Sequence, residues 1–192
     1  MSGKTEIQGA WFAASDGQAE CLQAGYAACS VISEPDPNAP FYPPTKDLGM
    51  CTSGVVAKGT GSPPIWGAMI GFVLNETASG RRPYDAEAHG VTGFAFDLDS
   101  EPGPGAEIRV ELPTETTQGD PASWAGKTQP YSPVHAGHNE FKWSEVGGPI
   151  YLLHPPALDL RKLMQVGFHV LPNPQHEVSY RFCIQNLTAL RH

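Results

Sequence analysis

Charge is scarce in this chain and weighted to one sign: charged residues make up 17 % of the 192, with 12 Lys and Arg against 20 Asp and Glu. The net charge of −8 and the isoelectric point near 5.3 argue against a nucleic-acid partner, because nothing supplies the clustered cations that displace counterions from a phosphate backbone. The basic residues stand singly or in pairs, and Arg81-Arg82 reads as a solvated turn. No apolar run approaches the roughly 18 residues a membrane-spanning helix requires. There is no G-x-S-x-G elbow, no H-E-x-x-H and no P-loop, so the common nucleophile, zinc and nucleotide signatures are missing. No repeat of fixed period is found.

Glycine (21) and proline (19) are abundant, together more than a fifth of the chain, which favours short strands and many turns over helices. The length suits one hydrophobic core with elaborated loops. We therefore expect a single all-β domain over residues 1–192, with residues 1–6 outside the folded part.

The organising stretch is the last one, Val178 to Leu190. Tyr180, Phe182 and Ile184 alternate with Arg181, Cys183 and Gln185, the period of a strand with one buried face. Before it, Ile7–Ala14, Met50–Lys58, Ile65–Leu74, Val91–Asp99, Glu107–Leu112, Asn139–Val146 and Met164–Leu171 also read as strands. Val91–Asp99 and Glu107–Leu112 flank a Pro/Gly turn and read as a hairpin. Gly67 and Gly71 leave gaps where a neighbouring side chain or a ligand comes close to the backbone. Residues 17–49 and Pro113–Gly137 are long loops, and Ala157–Leu163 resembles a short helical turn. About eight or more antiparallel strands with two long loops suggest a jelly-roll β-sandwich.

The four cysteines, Cys21, Cys29, Cys51 and Cys183, lack the paired short spacings of a zinc site. Three disulfide pairings are formally open. The spacing favours a small Cys21–Cys29 loop staple and a Cys51–Cys183 bridge between distant strands, which implies an oxidising compartment; four free thiols in a reducing one is the alternative. The opening residues have no apolar segment behind them. A secreted origin then requires that an export signal was removed and replaced. Two sequons occur, at Asn75 and Asn186, and the second falls in the closing strand, where it reads as sterically unusable.

The succession GVTGFAFDLD, EIRVELP, FKWSEV, DLRKLMQVGFHV and YRFCIQNLTAL, preceded by IQGAWFAASDG and CTSGVVAK…WGAMIGF, resembles bacterial extracellular carbohydrate-binding modules of galactose-binding-like jelly-roll type. The resemblance runs over most of the chain from Ile7 and implies non-catalytic polysaccharide binding by a secreted or cell-surface module, appended to a larger secreted protein. Such modules often hold a structural calcium between the first-strand region and the last strand. The chain departs from the family at Gln185-Asn186, where acidic residues are frequent, which leaves Asp16 and backbone carbonyls as the calcium ligands the resemblance implies.

A sugar ring needs an aromatic face to stack on and planar polar groups for its hydroxyls. Trp66, Tyr84, Trp124, Tyr131 and Trp143 are candidates for the first role; Asp85, His89, Arg109, Gln129 and Asn139 for the second. Trp124 and Tyr131 lead, because a large aromatic in a polar loop has no evident core to fill, although long loops also pin themselves with one aromatic. Trp66 and Trp143 lie in strands, where packing is the competing role. Trp11 is expected to pack on the closing strand. His135, His138 and Glu140 invite a metal reading, but strand positions three apart point to opposite faces. A polysaccharide lyase or glycoside hydrolase on the same scaffold, with paired carboxylates among Asp85, Glu87, Asp97 and Asp99, is the alternative function. A protein-binding or adhesive domain is the third.

Overall fold

A computed structural model describes residues 6–15, 31–32, 50–59, 66–100, 106–115, 117, 131–147 and 158–191. These form two five-stranded antiparallel sheets and a two-stranded ribbon, with no α-helix among the described residues. The first sheet runs, in spatial order, β1 (Trp11–Ser15), β4 (Ala68–Val73), β11 (Gln165–Val170), β8 (Ile108–Glu111) and β9 (Tyr131–Pro133). The second runs β10 (Gly137–Lys142), β7 (Val91–Ser100), β12 (Val178–Arg191), β3 (Met50–Val56) and β2 (Val31–Ile32). The ribbon is β5 (Glu76–Thr77) with β6 (Gly80–Arg81).

The alternation read from the sequence decides which side chains meet. Val166, Phe168 and Val170 of β11, Ile70 and Phe72 of β4, and Ile108 and Val110 of β8 turn inward. They face Phe94, Phe96 and Leu98 of β7 and Tyr180, Phe182 and Ile184 of β12. Across the gap Phe96 meets Phe168 edge-on at 5.0 Å and Phe72 meets Phe94 edge-on at 5.4 Å. Each such ring removed from water is worth about 1.5–3 kcal/mol, and the edge-to-face geometry adds to it.

The closing strand is central, pairing with β7 on one side and β3 on the other. Cys183 lies directly opposite Cys51, and the two form a disulfide across a sequence separation of 132 residues. This is the distant bridge expected. Cys21 and Cys29 lie outside the described residues, as do Asp16, Trp124 and Gln129.

Several expectations are corrected. β7 and β8 are not a hairpin: β7 pairs with β10 and β12, whereas β8 pairs with β11 and β9. Both strands have one apolar face, and both faces meet the same core from opposite sheets; alternation sets the face a strand buries, not its partner. The strand expected over Asn139–Val146 ends at Lys142, where Trp143–Glu145 forms a 3-10 turn. Trp11 packs on Phe72 and Phe168 of its own sheet, within the core that the closing strand also lines. Residues 158–163 hold a single turn, Lys162 N–H to Asp159 C=O at 3.0 Å, before Leu163 bridges to Tyr84 and Thr114. Asn186 is exposed at a bulge in β12 with φ of 51°, and its amide donates to Asp97 Oδ2 at 2.6 Å.

One polar atom breaks the pattern of satisfied groups. Thr52 Oγ1 on β3 is buried in the core without a hydrogen-bond partner among the described residues. Thr52→Val keeps the shape and removes the unpaired hydroxyl, so a gain of about 1 kcal/mol in urea denaturation is expected. The double variant Cys51→Ala/Cys183→Ala should lose about 2–5 kcal/mol in the same experiment, because its long loop is no longer closed in the unfolded chain. An unchanged midpoint would mean that this bridge does not constrain the unfolded state.

Candidate functional site

With every second residue of the first sheet turned to the core, the others share its outer face. Backbone register sets them in rows. Phe12 lies opposite Gly71, Gly71 opposite Gly167, Gly167 opposite Glu111, and Glu111 opposite Tyr131, one row across all five strands. The neighbouring row is Ala14, Met69, His169, Arg109 and Pro133.

The paired glycines leave the middle of the first row without side chains. A Cβ on Gly71 would stand 2.8 Å from Phe12 Cζ, so it is the absence of that carbon that lets the ring lie down on the sheet. Met69 lies over Gly167, its Cε 3.5 Å from where a Cβ would be, an ordinary contact distance. Phe12 and Met69 are both half-buried, an apolar strip partly open to solvent. Arg81, exposed on β6, holds its guanidinium 5.3 Å from the Phe12 ring centroid. It reaches Gln165 Oε1 at 3.5 Å and Glu76 at 3.8 Å, both long contacts that are easily exchanged.

The other end of the face is tightly bound. Arg109 donates to Glu111 Oε1 at 2.7 Å through Nε, and His169 Nδ1 meets the same oxygen at 2.7 Å. His169 Nε2 is 2.6 Å from the Trp66 carbonyl, which can only accept, so that nitrogen carries a hydrogen. With Glu111 ionised both ring nitrogens donate, and the cluster is a carboxylate held between two cations. Glu111 and His169 are each only 5 % exposed although they face away from the core. Burial pushes the Glu111 carboxyl up, but the His169 hydrogen bond and the His169 and Arg109 charges outweigh it and hold it below the ordinary range. The Trp66 ring meets His169 edge-on at 5.6 Å. Gly67, with φ of +108°, makes this approach possible: a Cβ there would lie 3.2 Å from His169 Nε2.

The expected site residues are therefore scattered. Trp66 and Arg109 are on this face, half-buried, and Tyr131 occupies the end position of its central row. Tyr84 is not available as a platform: it is 2 % exposed, stacked on His89 at 5.0 Å, and burial, against the charge of Arg191, pushes its hydroxyl up to about 12. Asp85 accepts from Ala88 N–H at 2.9 Å and so fastens a turn. Asn139 is buried and ties its own loop, donating to the carbonyls of His135 and Gly137 and accepting from His135 N–H. Trp143 is buried, its indole N–H donating to the Val91 carbonyl at 2.7 Å. Sequence reasoning missed Phe12, Met69, Arg81, Gln165 and His169. The signal that was legible was Gly71, flagged as a place of close approach; its row needed the strand order.

The histidine pair does not converge. His135 Nδ1 meets the Ala136 carbonyl at 3.0 Å, while His138 Nδ1 meets Asp97 Oδ1 at 2.8 Å on the outer face of the second sheet. Hydrogen bonds from Asn186 and then His138 hold Asp97 below the usual carboxylate range. Among the described residues no group of three or more His, Cys, Asp or Glu side chains is arranged to hold a metal, and no helix is long and apolar enough to cross a membrane.

Two packed antiparallel sheets in this order make a jelly-roll β-sandwich. Among solved structures the chain is similar to the Family 11 carbohydrate-binding module of the cellulosomal cellulase Lic26A-Cel5E of Clostridium thermocellum, with a TM-score of 0.52 and 15 % identity over 100 % of this chain and 94 % of that one. A solution structure of CtCBM11 aligns with a TM-score of 0.47 and 14 % identity, over 100 % of this chain and 99 % of that one. No protein-family model matches the chain, and no curated protein matches it by sequence.

Glu111 tests the electrostatics of this face. Its folded-state carboxyl is depressed, so its contribution is present above the ordinary carboxylate value and is lost as the pH falls through the folded-state value. Glu111→Gln leaves Arg109 and His169 facing one another unneutralised and should cost about 3 kcal/mol at neutral pH in urea denaturation. The difference from the parent protein should shrink on strong acidification; a difference independent of pH would contradict the charge argument.

Proposed function

We propose that the protein is a non-catalytic carbohydrate-binding module that takes a polysaccharide along the outer face of the β1-β4-β11-β8-β9 sheet. The observation that carries this reading is the cross-strand row from Phe12 over the glycine pair to Glu111 and Tyr131. It gives an apolar strip, Phe12 and Met69, bounded at one end by the planar groups of Arg81 and Glu76, with Gln165 buried beneath them, and at the other by Trp66 and Arg109. Stacking on the strip removes the apolar face of a sugar from water, and the planar groups replace the water its hydroxyls give up. Arg81 is the adjustable member, because its present contacts are long and solvent-screened. Affinity per site is modest, since the sugar and the face must both be desolvated. The structural likeness to a cellulosomal module supports the class of ligand.

Binding without turnover is supported by where three of the described carboxylates lie. Asp97, bonded to His138 and Asn186, is on the opposite sheet, Asp85 fastens a turn, and the buried Glu111 is held by Arg109 and His169. An extracellular setting is supported by the Cys51–Cys183 bridge; attachment to a larger secreted protein is part of the reading through the family resemblance alone. The family resemblance carries with it a structural calcium bound near Asp16; chelation is expected to lower Tm, and an unchanged Tm removes the ion from this reading.

The deciding experiment is retention of the purified protein on a panel of soluble and insoluble polysaccharides, with the supernatant assayed for released sugar and unsaturated ends. Retention without product is expected. Phe12→Ala and Trp66→Ala should each weaken it about tenfold, the equivalent of ~1.4 kcal/mol, with thermal unfolding showing that each variant is folded. Trp124→Ala and Tyr131→Ala test the aromatics expected from sequence. Product release would overturn the non-catalytic reading, and loss of retention on every glycan would overturn carbohydrate binding itself.

A further inference from the structure

A cavity of about 610 Å³ opens where β7 begins and β10 and β12 end, and it shares no residue with the face described above. Its volume lies within the range of small-molecule sites. Ala86, Val91, Trp143 and Leu160 make its apolar wall, and Glu87, Thr92, Lys142, Ser144 and Arg191 its polar lining.

The wall is built rather than incidental. Trp143 is fixed by its bond to the Val91 carbonyl at 2.7 Å and by edge-on contacts with Phe94 at 5.5 Å and Phe141 at 5.3 Å. The loop beside it is pinned at both ends, Ala86 N–H to Leu160 C=O at 2.8 Å and Val91 N–H to Ala86 C=O at 2.9 Å. Gly90, with φ of +63°, turns that loop away, and nothing lies within 4 Å of the space its missing Cβ would fill. Lys142 stands opposite Gly93 on one side of β7, and Arg191 stands opposite Val91 on the other. Lys142 and Arg191 thus flank the same strand end within two residues, and Glu87 lies in the same lining.

We propose that this cavity is a second carbohydrate site, specific for a hexuronate residue. The ring lies against the Trp143–Val91–Leu160 wall, the carboxylate takes Lys142 and Arg191, and Glu87, Thr92 and Ser144 take hydroxyls. The ligand class rests on the carbohydrate reading above, but the site does not: the cavity and its cations are independent of Phe12 and the glycine row.

The test is an amide and indole NMR titration of the full chain with sodium galacturonate and glucuronate, with oligogalacturonate, and with galactose and glucose as neutral counterparts. Millimolar uronate is expected to shift the Trp143 indole and Gly90 amide signals, with the neutral sugars at least about tenfold weaker. Lys142→Ala should weaken uronate binding about tenfold while leaving retention of neutral polysaccharide unchanged. Tighter binding of the oligomer than of the monosaccharide assigns the site to the end of an acidic chain, and equal binding assigns it to the free sugar acid. Shifts confined to the Phe12 and His169 face, equal affinity for galactose, or no shift with any uronate would each overturn the inference. If uronate seats in the cavity while every polysaccharide is left unretained, the outer-face reading falls and this one stands.

Discussion

The packing of Phe94 and Phe96 against Phe72 and Phe168 is the contact on which the rest of the structure depends. It joins the two sheets. Because strand side chains alternate, fixing these rings inward forces the residues between them outward. Gly71, Gly167, Glu111 and His169 are placed on one outer face by this constraint, and Asp97 and Cys183 on the other. A one-residue slip in any of these strands would exchange its own inward and outward residues.

The outer face of the first sheet divides into a rigid end and an adjustable end. At the rigid end Glu111 is neutralised by Arg109 and His169 in a nearly water-free setting, where removing any partner leaves a buried charge uncompensated. At the adjustable end Arg81 is exposed and only distantly paired. A binding surface of this kind has its frame fixed by desolvated charges and its contacts made by groups that water can still reach. The glycine pair lowers the floor between them, which lets the Phe12 ring lie flat where a side chain would hold it off.

The second sheet serves the structure in another way. Its central strand, β12, is tied to β3 by the Cys51–Cys183 bridge and to β7 by the ladder, and it changes register between Gln185 and Thr188. Asn186 takes a left-handed conformation there and bonds to Asp97. The Gln185-Asn186 step, which departs from the acidic residues frequent in the family it resembles, is thus occupied by a bulge and a hydrogen bond within the sheet.

The all-β class and the inward faces of β7, β11 and β12 were legible in the sequence, because period-2 alternation is a local signal; the Cys51–Cys183 bridge was the favoured one of three open pairings, because Cys21 and Cys29 stand close enough in sequence for a loop staple. The hairpin expected between β7 and β8 was not formed, and Tyr84, Asp85 and Asn139 turned out to hold turns, loops and core together. Each of those residues has the chemistry of a sugar contact, and only the folded structure shows that Tyr84 is buried and that Asp85 and Asn139 are already hydrogen-bonded. What the sequence by itself determined was which residues of each strand are buried. Which strands become neighbours, and so which outward residues stand side by side as Phe12, Gly71, Gly167 and Glu111 do, was decided by the tertiary structure, because alternation fixes a face but strand pairing is a long-range choice among many equally alternating partners.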